Sequence, residues 1–116
     1  GVSDPGNLGA IIRTANAAGY GDIYLRNCAD PFSPKSVRAA MSGIFFVRLH
    51  CGDVLPALGG IPLICADMGG ENVSGEVSAL CEYTVKIPMR PTCESLNAGV
   101  SAGILMYELL AKKIIE

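Results

Sequence analysis

Four polar residues in two short stretches have the types and spacing to orient a ligand. Asn7 follows the turn signal Asp4-Pro5-Gly6, and Arg13 comes less than two helical turns later. Both can therefore face one space. A solvated helix charge is the plainer reading of Arg13. Ser95 and Asn97 flank Leu96 just ahead of a long run of small and apolar residues, where either can cap a helix. Lys35 and Arg38 lie three apart and share a helix face, which suits a solvated surface or a phosphate contact. The five cysteines (Cys28, Cys51, Cys65, Cys81, Cys93) are widely spaced with no Cys-x-x-Cys pair, and read as reduced, mostly buried thiols. His50 stands alone after an apolar run and reads as structural. No metal site is expected. There is no Gly-x-Gly-x-x-Gly after a strand and no phosphate loop, which weighs against other α/β nucleotide binders.

The elements that must position these residues alternate. A helix is predicted over Leu8–Ala18 and ends at Gly19. A strand follows at Asp22–Leu25. A second helix starts at Ser33-Pro34, runs to about Ser42 and is closed by Gly43. Ile44–Leu49 reads as an apolar strand, Asp53–Leu58 as a short helix interrupted by Pro56, and Ile61–Ala66 as another strand. A turn at Asp67–Gly70 and a short helix over Glu76–Cys81, capped by Ser74, come next. Tyr83–Ile87 is a strand, stopped by Pro88 and Pro91. The last helix, Asn97 to Ile115, would be roughly 28 Å long, with an apolar stripe at Val100, Ile104, Tyr107, Ala111 and Ile114. Gly99 and Gly103 in its first turns cost helix stability, so another segment or a ligand is expected to approach that backbone closely. Buried strands alternating with helices imply an α/β domain with a mostly parallel sheet covered on both faces. Ligands bind such sheets beyond the carboxyl ends of the strands.

At 116 residues the chain is at most one small domain, and half its residues are hydrophobic. The net charge of −2 argues against a broad basic face, so nucleic-acid binding would need a local cluster, a partner or a further domain. No apolar run is long enough to span a bilayer and none reads as a signal peptide, so a cytoplasmic, non-membrane protein is expected.

With these residues laid out, the chain resembles the SpoU (TrmH-like) branch of the SPOUT RNA methyltransferases. The first motif of that family matches Asp4-Pro5-Gly6-Asn7-Leu8-Gly9-Ala10-Ile11-Ile12-Arg13-Thr14-Ala15, completed by Ala18-Gly19. The third matches Ile87-Pro88-Met89 followed by Ser95-Leu96-Asn97. The resemblance implies methyl transfer from S-adenosyl-L-methionine to a ribose 2′-hydroxyl of tRNA or rRNA. It also implies a C-terminal trefoil knot and a homodimer with sites near the subunit interface. By position, Asn7, Arg13, Ser95 and Asn97 would be catalytic. Ile87, Pro88, Met89, Ser95, Leu96 and Asn97 would hold the cofactor.

One departure stands out. The second motif of the family is a strand ending in Gly-Asn-Glu-Gly or similar, and only its tail is matched, by Val73-Ser74-Gly75-Glu76. The expectation is one catalytic domain over residues 1–116 that lacks its first strand and an internal segment near residues 72–74. The competing expectation is a non-catalytic SPOUT-like subunit for RNA binding or dimerisation.

Overall fold

The computed structural model describes residues 1–60, 63–66, 79–93 and 95–112. The turn at Asp67–Gly70, the join around Asn72–Ser74 and most of the Glu76–Cys81 helix lie outside these residues. The described elements are α1 (Pro5–Ala18), β1 (Asp22–Leu25), α2 (Pro34–Ala40), β2 (Arg48–Cys51), β3 (Ile64–Ala66), β4 (Tyr83–Val85) and α3 (Ala98–Ala111), with 3-10 turns at Gly43–Phe45 and Leu55–Leu58. Both strand pairs, β1 with β2 and β3 with β4, run parallel. This is the parallel α/β arrangement expected from the alternation of elements.

The N-terminal half is built on the apolar face of α1. Leu8 and Ile12 are fully buried and form one core with Leu25 of β1, Ala40 of α2 and Val47. Ile23 and Leu49 pack against this core from the strands. Period-two alternation sends their neighbours to the other face of the pair. There the register sets Asp22 opposite Arg48 and Tyr24 opposite His50. The Asp22 carboxylate accepts from Arg48 Nε and Nη2 at 2.7 and 2.8 Å, and lies 3.0 Å from His50 Nε2. Arg48 first, then His50, hold the Asp22 carboxyl well below the usual carboxylate range. The His50 ring stacks on Tyr24 at 4.4 Å, so this histidine is a cross-strand packing residue, as expected.

Several boundaries differ from the sequence expectation. The turn signal Asp4-Pro5-Gly6-Asn7 is itself the start of α1, because Asp4 accepts from the Asn7 amide at 2.8 Å and Pro5 opens the helix. Helix α2 stops at Ala40 rather than Ser42, since Met41 and Ser42 both turn left-handed, at φ 49° and 69°. That reversal presses Gly43 against Ile12 and the Arg13 backbone. Residues 43–45 therefore wind as a 3-10 turn, and the expected strand at Ile44–Leu49 is shifted to Arg48–Cys51. Phe45 and Phe46 are left facing solvent.

The two helices beside α1 both run parallel to it and touch it through small residues. A Cβ built on Gly9 would fall 2.5 Å from both the Ser36 carbonyl oxygen and Ala39 Cβ of α2. On the other flank, a Cβ on Gly99 of α3 would fall 3.2 Å from Ala10 Cβ, and one on Gly103 would fall 3.4 Å from Thr14 Cγ2. The close approach predicted for the start of the last helix is thus made by α1. It turns α3 so that Gly99 and Ser101 are buried while Val100, Ile104 and Tyr107 are exposed. The apolar stripe of the last helix is consequently not its buried face, and Ile114 lies outside the described residues. Tyr20 fastens this arrangement: its hydroxyl donates to the Met106 carbonyl at 2.9 Å, and burial pushes its pKa up. No described helix is long and apolar enough to cross a membrane.

These contacts separate two glycines that look alike in the sequence. Gly9→Ala must displace α2 backbone and is expected to destabilise by about 1–3 kcal/mol despite the better helix propensity of alanine. Gly103→Ala meets only ordinary van der Waals contact and is expected to be neutral or stabilising by up to about 1 kcal/mol. Thermal melts of the two variants check both signs.

Candidate active site

The two polar stretches meet at the amino ends of α1 and α3. Asn97 is the N-cap of α3: its Oδ1 accepts from the Gly99 and Val100 amides at 2.8 and 3.2 Å. Those bonds fix which end of the side-chain amide faces which way. Its Nδ2 is left to donate outward, and it donates to Asn7 Oδ1 at 2.8 Å, across 90 residues of sequence. Asn7 is held in turn, since its backbone amide binds the Asp4 carboxylate. Asn7 keeps its own side-chain NH2, and Asn97 keeps one N–H, for a third partner.

The cap is Asn97 and not Ser95. The Ser95 side chain is exposed and makes no hydrogen bond among the described residues, while its carbonyl accepts from Cys93 Sγ at 3.5 Å. Between β4 and α3 the chain carries Ile87, Met89 and Leu96 half-buried, with Pro88 and Ser95 exposed. This loop leaves the carboxyl end of a parallel strand, the place where such sheets bind ligands. It offers an apolar floor with a polar rim.

Arg13 is placed differently. It lies six residues beyond Asn7, about 9 Å along the axis of α1 at 1.5 Å per residue. It lines a cleft of about 330 Å³ with Ala10, Thr14, Ala17, Ala39 and Tyr107, one wall from each of the three helices. Its guanidinium makes no ion pair or hydrogen bond among the described residues. The structure therefore joins Asn7 to Asn97 and keeps Arg13 exposed in a neighbouring cleft, rather than pointing all three into one contact. Tyr107, which the sequence offered only as part of an apolar stripe, is the residue that α3 contributes to the cleft. Its spacing with Ile104 hid it, because an aromatic at helical period reads as core. No group of three or more His, Cys, Asp or Glu among the described residues is placed to hold a metal ion.

The Asn7–Asn97 bond can be measured. Asn97→Ala removes both cap and bridge and is expected to cost about 0.5–2 kcal/mol from the cap alone. Asn97→Asp keeps the cap oxygens but cannot donate to Asn7. A double-mutant cycle of Asn7→Ala with Asn97→Ala is expected to show a coupling of about 0.5–1.5 kcal/mol by chemical denaturation.

Comparison with known proteins extends this geometry. A 23S rRNA (uridine(2479)-2′-O)-methyltransferase from Streptomyces viridochromogenes is 31% identical over 145 aligned positions, covering 97% of this chain and 50% of that protein. The crystal structure of the SpoU methyltransferase AviRb from Streptomyces viridochromogenes in complex with AdoMet superposes with a TM-score of 0.83 at 29% identity, covering 97% of this chain and 57% of that one. A structure bearing on the 2-OH methylation of C/U34 on tRNA superposes at 0.82 with 26% identity, covering 96% of this chain and 90% of that one. The chain spans about half the length of the first relatives it matches. The alignment of 145 positions is longer than the chain of 116 residues, so it includes positions to which this chain contributes no residue. The model of the SpoU rRNA methylase family matches residues 1–59, from the amino terminus through β2 and the turn after it. Because that match takes in just over half of the sequence, the chain belongs to the SpoU rRNA methylase family.

Proposed function

We propose that this chain is the catalytic domain of an enzyme that transfers a methyl group from S-adenosyl-L-methionine to a ribose 2′-hydroxyl of tRNA or rRNA. The observation that carries the reading is the Asn7–Asn97 hydrogen bond. It ties the amino end of α1 to the loop after β4, the two stretches that match the first and third motifs of the family. The AdoMet-bound AviRb structure and the 2′-O-methyltransferase activity in the name of the Streptomyces relative support it.

The loop fits that cofactor in chemical character. Ile87, Met89 and Leu96 offer half-buried apolar surface for an adenine, and Pro88, Ser95 and Asn97 form its polar edge. When bound, S-adenosylmethionine supplies a methyl group already activated by a sulfonium charge. The residues of the chain then have two tasks: to align the sugar oxygen, and to ease the loss of its proton. Asn7 and Asn97 would offer their remaining N–H groups, and Ser95 its hydroxyl, to the bound molecules. Arg13 cannot take the proton, because a guanidinium stays charged. Its task would be to stabilise the developing oxyanion and to fix a neighbouring RNA phosphate, with the proton passing to solvent.

The oligomer and the missing parts belong to the same reading. Val100, Ile104 and Leu110 form an exposed apolar strip along α3, beside the Arg13 cleft. A second copy covering this strip would give a homodimer with its sites at the interface. The family resemblance supports helices on both sheet faces, a trefoil knot at the C-terminal end and a cytoplasmic enzyme. The alignment, longer than the chain, supports a segment absent from its interior, and the truncated match to the second motif is the reason to put that segment near residues 72–74. A non-catalytic RNA-binding or dimerisation subunit is the weaker reading, because the polar residues of both matched motifs are present.

Calorimetric titration of the intact protein with S-adenosylmethionine is expected to show one site per chain, lost in Leu96→Asp. Arg13→Ala is expected to lower ribose methylation by roughly 10²–10³-fold with cofactor affinity unchanged. Absence of cofactor binding by the unmutated protein would favour the non-catalytic subunit. Native mass spectrometry is expected to show a dimer that Ile104→Asp converts to a monomer.

A further inference from the structure

The three phenylalanines of the chain, Phe32, Phe45 and Phe46, are all exposed, and the last two are the most exposed large apolar side chains among the described residues, at 76% and 70%. Phe45 and Phe46 sit in and just after the 3-10 turn whose Gly43 is pressed against Ile12 and the Arg13 backbone. Hydrogen bonds from the Phe45 amide to Ser42 and from the Phe46 amide to Gly43 hold the turn. Both rings are therefore carried on a fixed support beside Arg13.

The adjoining helix contributes charge. Lys35 and Arg38 of α2 are exposed and make no ion pair among the described residues. Ala39, which lines the Arg13 cleft, is one turn from Lys35, and Arg38 shares the exposed face of α2 with Lys35. Asp4, whose carboxylate lies on the same side as Lys35, is committed to the first-turn amide of α1. In a chain of net charge −2 this is a local excess of positive charge next to exposed aromatic faces.

We propose that α2 and the turn after it are the docking surface for single-stranded RNA flanking the target nucleotide, with Lys35 and Arg38 on phosphates and Phe45 and Phe46 stacked on unpaired bases. Aromatic faces stack on any base and cations track the backbone, which together make a sequence-tolerant single-strand site. A second copy of this chain is a poorer occupant. A two-fold contact would bring Lys35 and Arg38 towards their own equivalents, and like charges oppose it. The inference rests on the methyltransferase reading for the identity of the target, and its test is independent of catalysis.

The test uses the intact protein and a fluorescent single-stranded RNA of mixed sequence, about a dozen nucleotides long. Phe45→Ala and Phe46→Ala are each expected to weaken binding about tenfold while leaving the melting temperature and S-adenosylmethionine affinity unchanged. Lys35→Gln with Arg38→Gln is expected to flatten the dependence of log affinity on log salt by about 0.7 per cation removed. Unchanged RNA affinity in both sets overturns the proposal. So does a dimer that falls apart in the phenylalanine variants while RNA binding persists, because the patch is then a protein interface. Loss of RNA affinity in the variants of a protein that binds no S-adenosylmethionine upholds the surface and overturns the methyltransferase reading instead.

Discussion

The side chain of Asn97 satisfies two requirements at once, and most of the arrangement around the site follows from that. A helix start leaves amide groups without partners, and Asn97 Oδ1 takes two of them. An amide side chain has opposite character at its two ends, so capping with the oxygen commits the nitrogen to point away from α3. The nitrogen meets Asn7 Oδ1, and the beginning of α1 is fastened to the beginning of α3. An aspartate or serine would cap α3 as well, but neither would present that N–H.

The bridge can form only because the helices lie close enough. Gly99 sits two residues from Asn97 and lets α3 approach Ala10, while Gly103 extends the approach to Thr14. On the opposite flank Gly9 admits the backbone of α2. Helix α1 is thus gripped on two sides through positions without side chains, and Tyr20 adds a hydroxyl tie to α3 near its far end. The same close packing exposes the bulky positions of α3 and turns the chain sharply after α2. The apolar strip and the aromatic turn that we assign to partners are by-products of how α1 is held.

Much of this was legible in the residues. Asp4-Pro5 ahead of an apolar period announces a helix, Gly19 announces its end, and two glycines in the first turns of the last helix announce a close neighbour. The parallel α/β character followed from alternating elements, and the family from two motifs in the right order. What was not legible depends on tertiary packing. Ile44-Phe45-Phe46-Val47 has the composition of a strand, yet the left-handed pair Met41-Ser42 and the press of Gly43 on Ile12 wind its first half into a 3-10 turn. Val100, Ile104 and Tyr107 have the period of a buried stripe, yet α3 packs through its glycines. The offset of Arg13 from the Asn7–Asn97 pair was hidden as well, because linear spacing does not say which way each side chain leaves a helix whose two sides are occupied.

We propose that the loop after β4, fastened to α1 through Asn7 and Asn97, holds the methyl donor. A crystal structure of the intact protein grown with S-adenosylhomocysteine tests it most directly. The adenine is expected against Met89 and Leu96, with the Asn7–Asn97 bond intact and Arg13 facing the sulfur end of the ligand. Density for the ligand at any other place on the protein would contradict it.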